Sequence, residues 1–347
     1  MNDLTPAQKA GQRLIVGFDG TDLNIDLKFL IHTLKVGGII LFKRNISTPA
    51  QVRALCHGVQ EYAGESGQPP LFIAIDQEGG KVARLPAPFT QFPGNPHMKN
   101  EADARDFADV TAKELTRIGV NMNFAPVLDV APRGINSIME DRAFGEDPAW
   151  VSLLGSLVIR TLQDSRVMAV AKHFPGIGRT TLDSHLDRPV FHAGLPDMEA
   201  FDLIPFAAAV KANAAGIMLS HILYDRIDPE WPASLSVNIA GDLLRNRMGF
   251  QGLVMTDDLD MGAIKQYYDL SSIIHQVLSA GIDMAMICHK GPDIESAFHL
   301  LLKGMSDPSL PEGGEDSLRR ILNAKKTYLG YDPGEDHVAS AKEKEYF

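Results

Sequence analysis

Short apolar runs alternate with longer amphipathic stretches along this chain. Runs that are apolar at nearly every position are typical of strands buried on both faces. They lie at residues 14–18, 38–42, 71–75, 120–130, 167–173, 215–220, 253–256 and 282–288. Between these runs, apolar residues recur at helical spacing. One such stripe ends before Gly119 and contains Phe107, Val110, Leu115 and Ile118; another contains Leu153, Leu154, Leu157, Val158 and Leu162.

Strand and helix alternate about eight times in this pattern. Such alternation predicts an α/β fold with parallel strands joined by right-handed crossovers. Eight repeats favour a closed (β/α)8 barrel of the TIM type over an open doubly wound sheet. No Gly/Ser-rich or Pro-rich linker divides the chain, so we predict one barrel domain over residues 1–332. The segment 333–347 is charged and poor in apolar residues, and we predict that it forms a surface tail.

Composition and charge narrow the classes of partner. Of the 347 residues, 45% are hydrophobic and 22% are charged, which is ordinary for a globular protein. The net charge of -11 would repel phosphate backbones and anionic headgroups, so we expect no nucleic-acid or membrane partner. Cys56 and Cys288 offer neither a metal-binding spacing nor a disulfide framework. The start of the chain lacks the basic and apolar regions of an export signal, and together these features predict a cytoplasmic protein.

Polar side chains directly follow five of the predicted strands. In a barrel the carboxyl ends of all strands share one rim, so these residues should converge on one pocket. One strand-end Asp is more often a helix cap or a loop hydrogen-bonder, but five polar ends together favour an active site. The five ends are Asp76-Gln77-Glu78, Asp129, Lys172-His173, Ser220-His221 and Asp257-Asp258.

The loop KHFPGIGRTTLDSH, residues 172–185, has the densest set of such residues. Its proline and glycines predict a turn-rich segment that carries Asp183 and His185 over the barrel mouth. A carboxylate beside an imidazole fixes the tautomer of the ring and raises its pKa, as a general acid/base requires. The alternative is an exposed histidine in an ordinary loop, and the spacing alone does not decide between them.

Five strings occur in order along the chain: IDQEGGKVARL, INSIMEDRAFGEDP, KHFPGIGRTTLDSH, PASLS and GFQGLVMTDDLDMGA. Together they resemble glycoside hydrolase family 3, specifically its cytoplasmic β-N-acetylglucosaminidase branch of peptidoglycan recycling. The similarity extends over residues 10–329. It implies a TIM-like barrel, retaining hydrolysis through a covalent glycosyl-aspartate, and the one-domain form of the enzyme. The implied substrate is a disaccharide or muropeptide, GlcNAc-1,6-anhydroMurNAc and its peptides.

The resemblance also assigns roles to individual residues. Asp257, the first acid in MTDD, matches the family nucleophile, and Asp183 and His185 match the acid/base dyad of this branch. No metal or other cofactor is implied, and the oligomeric state stays open, with a monomer as the simplest expectation. The positions that hold hydroxyl groups of the terminal sugar correspond to Asp76, Arg84, Arg142, Lys172 and His173.

The catalytic loop departs from the family pattern at two places. Ile177 stands where the usual PGHG sequence has histidine, and Arg179 occupies the next variable position. The dyad itself is intact, so the expected mechanism is unchanged. Arg179 is either a solvated loop arginine or a contact for an anionic aglycone such as a muramyl carboxylate.

Other functions remain open at this point. A phosphorylase of the same family would release sugar 1-phosphate, and a sugar-binding barrel without turnover would use the same pocket. A metal-dependent hydrolase would draw its ligands from His173, His185, His221 and Asp257, although the early HxH pair common in that chemistry is missing. A Schiff-base aldolase would use Lys172. Should His185 prove not to be the acid/base, Glu78 is the next candidate.

Overall fold

The computed structural model describes residues 4–181, 189–307 and 313–331. Eight parallel strands close into a barrel in which each strand pairs with its neighbours in sequence and the last pairs with the first. The predicted (β/α)8 barrel is confirmed. The barrel strands are β1 (Leu14–Val16), β2 (Gly38–Leu41), β3 (Phe72–Ile75), β4 (Met122–Asn123), β5 (Met168–Phe174), β6 (Gly216–Leu219), β7 (Leu253–Asp258) and β8 (Met284–Ile287).

Each apolar run overlaps one barrel strand. β5 and β7 extend past the ends of their runs, to Phe174 and Asp258, and the strand in the fourth run is much shorter than the run. The run 120–130 forms only the two residues of β4 before the ladder is interrupted. Pro126 follows and has no backbone N–H to donate to the ladder. Pairing with β5 resumes at a single bridge between Val127 and Lys172. The last part of this run is therefore extended chain that leads to the barrel rim.

Helices connect the strands on the outside of the barrel. Both predicted stripes form helices, and each begins at a side-chain cap: Asn100 accepts from the backbone N–H of Asp103, and Asp147 accepts from that of Ala149. The helices are α1 (Pro6–Gly11), α2 (Ile25–His32), α3 (Pro49–Glu65), α4 (Glu101–Arg117), α5 (Pro148–Asp164), α6 (Leu195–Glu199), α7 (Leu203–Lys211), α8 (Gly262–Lys265), α9 (Leu270–Ser279), α10 (Pro292–Gly304) and α11 (Gly313–Leu329), with a π-helix at Val237–Arg247.

One residue of the α5 stripe is not part of the core. Leu153 is 41% exposed, whereas Leu154 and Val158 are fully buried. Consecutive helical residues differ by about 100° in direction, so Leu153 and Leu154 cannot both face the centre of the interface.

Alternate residues of each strand point into the barrel or outward against the helices. On β8, Met284 and Met286 belong to the inner cluster, while Ala285 and Ile287 pack in the outer one. This period of two follows from strand geometry. The interior is a packed core, as in other small barrels. Its side chains include Ile15, Ile40, Phe72, Met122, Phe124, Met168, Val170, Met218, Met255 and Cys288.

Helix α11 closes the end of the barrel at which the strands begin. Ile321 belongs to the inner cluster, and the buried Lys325 donates from Nζ to Gln12 Oε1 at 2.5 Å and to the Gly37 carbonyl at 3.0 Å. The opposite end, where the strands finish, carries the polar residues described below. No helix in the three described ranges is long and apolar enough to cross a membrane. Residues 332–347 lie outside the described chain, so the surface tail stays a prediction.

Candidate active site

The sequence DQEGG after β3 forms a hairpin that turns back over the barrel mouth. Its strands are Gln77–Gly79 and Val82–Ala83, paired antiparallel. Gly80 sits at φ 62°, and a Cβ there would lie 2.9 Å from the Pro93 carbonyl oxygen, so the turn requires glycine. The Gln77 side chain accepts from the backbone N–H of Arg84 at 2.9 Å. This brings the Arg84 guanidinium to the carboxylate of Asp76, with Nη2 2.9 Å from Oδ2.

Five charged side chains from three segments form one ion-pair cluster at this rim. Lys172 Nζ lies 2.7 Å from Asp76 Oδ1 and 2.6 Å from Glu78 Oε1. Arg142 binds Glu78 through two nitrogens, Nε at 3.0 Å and Nη2 at 2.7 Å. Together with the pair between Arg84 and Asp76, these contacts link three cations to two carboxylates. We call these five residues the rim cluster.

The rim cluster stays ionised although it is largely removed from water. Burial raises the pKa of both Asp76 and Glu78. The nearby cations outweigh this effect, namely Lys172 and Arg84 at Asp76, and Lys172 and Arg142 at Glu78. Both pKa values are therefore held below the usual range. Burial lowers the pKa of Lys172, and the two carboxylates more than reverse this effect. The cluster therefore offers fixed charges of both signs at the barrel mouth.

His173, the next residue on β5, turns toward a different partner. Its Nδ1 lies 2.7 Å from Asp129 Oδ2, and its Nε2 lies 3.4 Å from Arg142 Nη2. The other Asp129 oxygen accepts from the backbone N–H of Ile177 at 2.7 Å. His173 is thus connected to the rim cluster through Arg142 and to the following loop through Asp129.

Asp257 lies near the end of β7, where the ladder to β8 is irregular between Met255 and Asp258. The β5 ladder is likewise irregular between Ala171 and Phe174, the stretch that contains Lys172 and His173. Such irregularities re-aim side chains, and they are frequent beside active sites. Burial raises the pKa of Asp257, but His221, His173 and Lys172 together with the Asp258 backbone N–H lower it below its usual value. Asp257 is therefore an ionised carboxylate at neutral pH.

Asp258, the neighbouring acid, accepts backbone hydrogen bonds that hold the local structure. Its Oδ1 accepts from the backbone N–H of Asp260 at 3.1 Å and of Cys288 at 3.0 Å, which ties the ends of β7 and β8 together. Burial raises its pKa to about 6 in spite of these hydrogen bonds. Its carbonyl oxygen is 2.8 Å from Nε2 of His221, whose Nδ1 is 2.7 Å from Ser234 Oγ.

The metal-dependent hydrolase receives no support from these histidines. Both ring nitrogens of His173 and of His221 are engaged in the hydrogen bonds given above. Within the described ranges, the grouping of carboxylate and imidazole atoms close enough for a metal ion is Asp258, Asp260 and His289, not the predicted set. Lys172 is held between two carboxylates that raise its pKa, so it is a cation and not the neutral amine that a Schiff-base enzyme requires.

Arg179 is partly buried and forms ion pairs within the fold. It pairs with the buried Asp202 through Nε at 3.1 Å and through a second, close contact of Nη2, and it also contacts Asp197 at 2.9 Å. Its guanidinium lies over the rings of Phe191, at 4.9 Å, and Phe201, at 5.3 Å. Arg179 is therefore not a freely solvated loop arginine. It anchors the loop to the segment that precedes α7, and contact with an aglycone stays a prediction.

Ile177, which stands where the family pattern has a histidine, is a core residue. Its side chain is 5% exposed and belongs to the outer apolar cluster. Gly178 follows, where a Cβ would lie 1.9 Å from the Val130 carbonyl oxygen. The start of the loop is thus packed closely on the chain that leaves β4. Asp183 and His185 lie outside the described residues, so their arrangement stays a prediction.

The structure brings together the remaining predicted site residues, namely Asp76, Arg84, Arg142, Lys172, His173 and Asp257. Sequence reasoning recognised Asp129 only as a polar strand end. For a role in a site, it considered His221 only as a possible metal ligand and Glu78 only as the alternative acid/base. Asp202 carried no sequence signal, because nothing local marks an aspartate as the partner of an arginine 23 positions earlier.

Comparisons with known proteins agree with this architecture. Residues 7–324 match the model of the glycosyl hydrolase family 3 N-terminal domain. The β-hexosaminidase of Alkalilimnicola ehrlichii is 36% identical over 304 residues, 85% of this chain and 84% of that protein. That of Nitrosomonas eutropha is 38% identical over 299 residues, 83% of each chain.

Two solved structures are similar over nearly the whole chain. A family 3 β-N-acetylglucosaminidase from a Paenibacillus species has a TM-score of 0.90 and 34% identity; the match covers 99% of this chain but only 66% of that one. A β-N-acetylhexosaminidase from Beutenbergia cavernae has a TM-score of 0.86 and 30% identity, with 93% and 99% covered. The family model spans most of the chain and the barrel carries charged residues at the family's motif positions, so this chain belongs to glycoside hydrolase family 3.

Proposed function

We propose that this chain is a retaining exo-glycosidase that removes terminal β-linked N-acetylglucosamine. The observation that carries the proposal is the rim cluster beside an ionised Asp257 at the carboxyl end of the barrel. The relatives named above are β-hexosaminidases and β-N-acetylglucosaminidases, which supports the same sugar for this chain.

The rim cluster suits a neutral sugar ring. Carboxylates accept hydrogen bonds from vicinal hydroxyls, and ammonium or guanidinium groups donate to their oxygens; these charge-assisted bonds are stronger than neutral ones. Because the three cations of the rim cluster are balanced by its two carboxylates together with the ionised Asp257, the site needs no charged ligand. A pocket of this kind fixes both the identity and the orientation of the terminal ring.

Asp257 would serve as the nucleophile. A carboxylate oxygen attacks the anomeric carbon, the bond to the leaving oxygen breaks, and a glycosyl ester forms. The lowered pKa of Asp257 keeps the carboxylate in the required ionised form. Water then attacks the anomeric carbon from the face that the leaving group vacated, and the bond to the Asp257 oxygen breaks. The carboxylate is released and the anomeric configuration is retained.

His185 would protonate the leaving oxygen and later take a proton from the attacking water, with Asp183 orienting the imidazole. The described residues support this assignment by removing one competitor for the role. Glu78, the other acid/base candidate, is 1% exposed, bound to two cations, and has a lowered pKa. A carboxyl group in that state is a poor proton donor near neutral pH.

The natural substrate would be GlcNAc-1,6-anhydroMurNAc or its peptides, processed in the cytoplasm during peptidoglycan recycling. Arg179 gives no support to recognition of a muramyl carboxylate, because Asp202 and Asp197 already occupy its guanidinium. Recognition beyond the first sugar would have to come from other residues.

The decisive experiment is product analysis with this disaccharide, with and without phosphate, by proton NMR. We expect free GlcNAc that appears first as the β-anomer in both conditions. Release of sugar 1-phosphate would establish the phosphorylase instead, and an initial α-anomer would refute Asp257 as nucleophile. Aryl β-GlcNAc should also be cleaved far faster than the aryl β-glucoside, and equal rates would remove the N-acetylglucosamine assignment.

Covalent labelling adds a matched comparison between the two adjacent acids. A fluorinated slow substrate should label Asp257 and leave Asp258 unlabelled. Label on Asp258 would overturn the assignment. Strong inhibition by a thiazoline would instead indicate that the acetamide of the substrate is the nucleophile.

A further inference from the structure

Asp129 is a buried carboxylate at the barrel mouth that has no role in the reaction proposed above. It is 0% exposed and follows β4 on the chain that leads to the rim. Oδ2 lies 2.7 Å from His173 Nδ1, and Oδ1 accepts from the backbone N–H of Ile177 at 2.7 Å. Each oxygen therefore contacts a different residue of the chain that leads from β5 into the loop, and these two residues are four positions apart.

The contact with His173 determines which ring nitrogen carries the proton. An ionised carboxylate can only accept, so Nδ1 must donate to it. In the neutral ring Nε2 then has a lone pair, and Nε2 lies 3.4 Å from the donor Nη2 of Arg142. In the opposite tautomer the N–H of His173 Nε2 would face the N–H of Arg142 Nη2. The unprotonated Nδ1 would then face the Asp129 carboxylate with no hydrogen to donate.

The contact with Ile177 holds the backbone where the chain turns away from β5. Pro175 and Gly176 lie between His173 and this anchor. Further along, Ser137 Oγ donates to the Gly178 carbonyl at 2.6 Å, which anchors the loop independently of Asp129. The two anchors allow the effects on the imidazole and on the loop to be separated.

We propose that Asp129 is a positioning residue that fixes the tautomer and orientation of His173 for sugar recognition while anchoring the start of the loop. This inference rests on the proposed function, in which His173 contacts a sugar hydroxyl. Asp129 itself does not touch the substrate and acts through the imidazole. Partners of this kind typically change the binding or activity of the group that they orient by about 10–100-fold.

The test compares Asp129→Asn with Ser137→Ala. The asparagine keeps an oxygen that can accept from the Ile177 N–H, but its amide nitrogen faces Nδ1 and forces the ring to change tautomer. We expect KM for aryl β-GlcNAc to rise about tenfold or more, with a smaller change in kcat. Ser137→Ala removes the anchor to Gly178 and the hydrogen bond that Ser137 Oγ accepts from the Met139 N–H at 3.1 Å, and leaves both contacts of Asp129 in place. We expect KM within about twofold of the wild type together with a lower melting temperature. An unchanged KM in Asp129→Asn, or an equal rise in both variants, would overturn the inference.

Nitrogen-15 NMR of the unmodified protein provides a test that does not depend on a variant folding. With labelled histidine at alkaline pH, and His173 identified by its loss in His173→Asn, we expect the proton on Nδ1. A proton on Nε2 of the neutral ring would refute the inference. If the wild type cleaves no β-GlcNAc, the proposed function fails, and the NMR result alone decides whether Asp129 sets this tautomer.

Discussion

Removing the charge of Glu78 should both destabilise the barrel and impair sugar binding. The side chain is 1% exposed and accepts three close contacts, two from Arg142 and one from Lys172. Glu78→Gln preserves the volume and one acceptor oxygen, so the substitution removes little except the negative charge. The three cations of the rim cluster would then face the single carboxylate of Asp76.

The expected magnitude follows from the cost of a buried charge without its partner. Contacts to charged groups are each worth about 1.5–3 kcal/mol, but the glutamine needs less desolvation and retains part of them. Breaking a buried pair by removing one partner costs about 3–5 kcal/mol in general. We therefore expect the free energy of unfolding to fall by about 3–5 kcal/mol, and the melting temperature by about 4–7 °C.

Urea unfolding followed by circular dichroism measures the change, with Asp141→Asn as the matched control. Asp141 pairs with Lys81 on the surface, where the two side chains are 62% and 70% exposed. Exposed pairs contribute at most about 1 kcal/mol, so the control should unfold almost as the wild type does. A loss below about 1 kcal/mol in Glu78→Gln would refute the account of the rim cluster.

Kinetics of the same variant separate a structural role from proton donation. If Glu78 holds Arg142 and Lys172 in place, Glu78→Gln should lose activity on aryl and natural substrates alike. If Glu78 were the acid, the loss would be small for activated aryl leaving groups, which depart without protonation, and large for the disaccharide. The second pattern would move the acid/base role away from His185.

Asp257→Asn should lower kcat on aryl β-GlcNAc by about a thousandfold or more with an unchanged melting temperature, and residual activity near the wild-type rate would exclude the nucleophile role. His185→Ala should reduce turnover of the disaccharide by about 10²–10⁴-fold and of the aryl glycoside much less, whereas equal losses would mean that His185 binds or supports structure. Arg179→Lys should lose about 1.5–3 kcal/mol of unfolding free energy in urea, because a lysine cannot reproduce the fork to Asp202; wild-type stability would contradict the loop anchor. Lys325→Met should flatten the pH dependence of stability between neutral and alkaline pH. Burial holds the Lys325 pKa far below its usual value, so the unfolded chain binds a proton that the folded chain does not, and wild-type stability must rise with pH up to the unfolded pKa. Parallel urea titrations of the wild type and this variant would show the same pH dependence of stability if the lysine were charged in the folded state, and that result would refute the prediction.

Much of the fold follows from local pattern. The apolar runs predicted all eight strands because a strand that is buried on both faces is apolar at nearly every position. The fourth run shows the limit of this reasoning, because Pro126 interrupts the ladder inside an apolar stretch. In α5 the periodicity located the helix, but the exposure of Leu153 depended on which side of the stripe the neighbouring helices cover.

The sequence by itself determined the barrel and the polar strand ends, since both depend on residues that are adjacent or regularly spaced. Only the tertiary structure decided which charges pair. Lys172 and Asp76 are separated by 96 positions and Arg142 and Glu78 by 64, and no local pattern links them. The same limit applied to Arg179, whose partner Asp202 is brought to it by folding. Pairing energies inside a protein depend on distance and on exclusion of water, and both are properties of the folded chain.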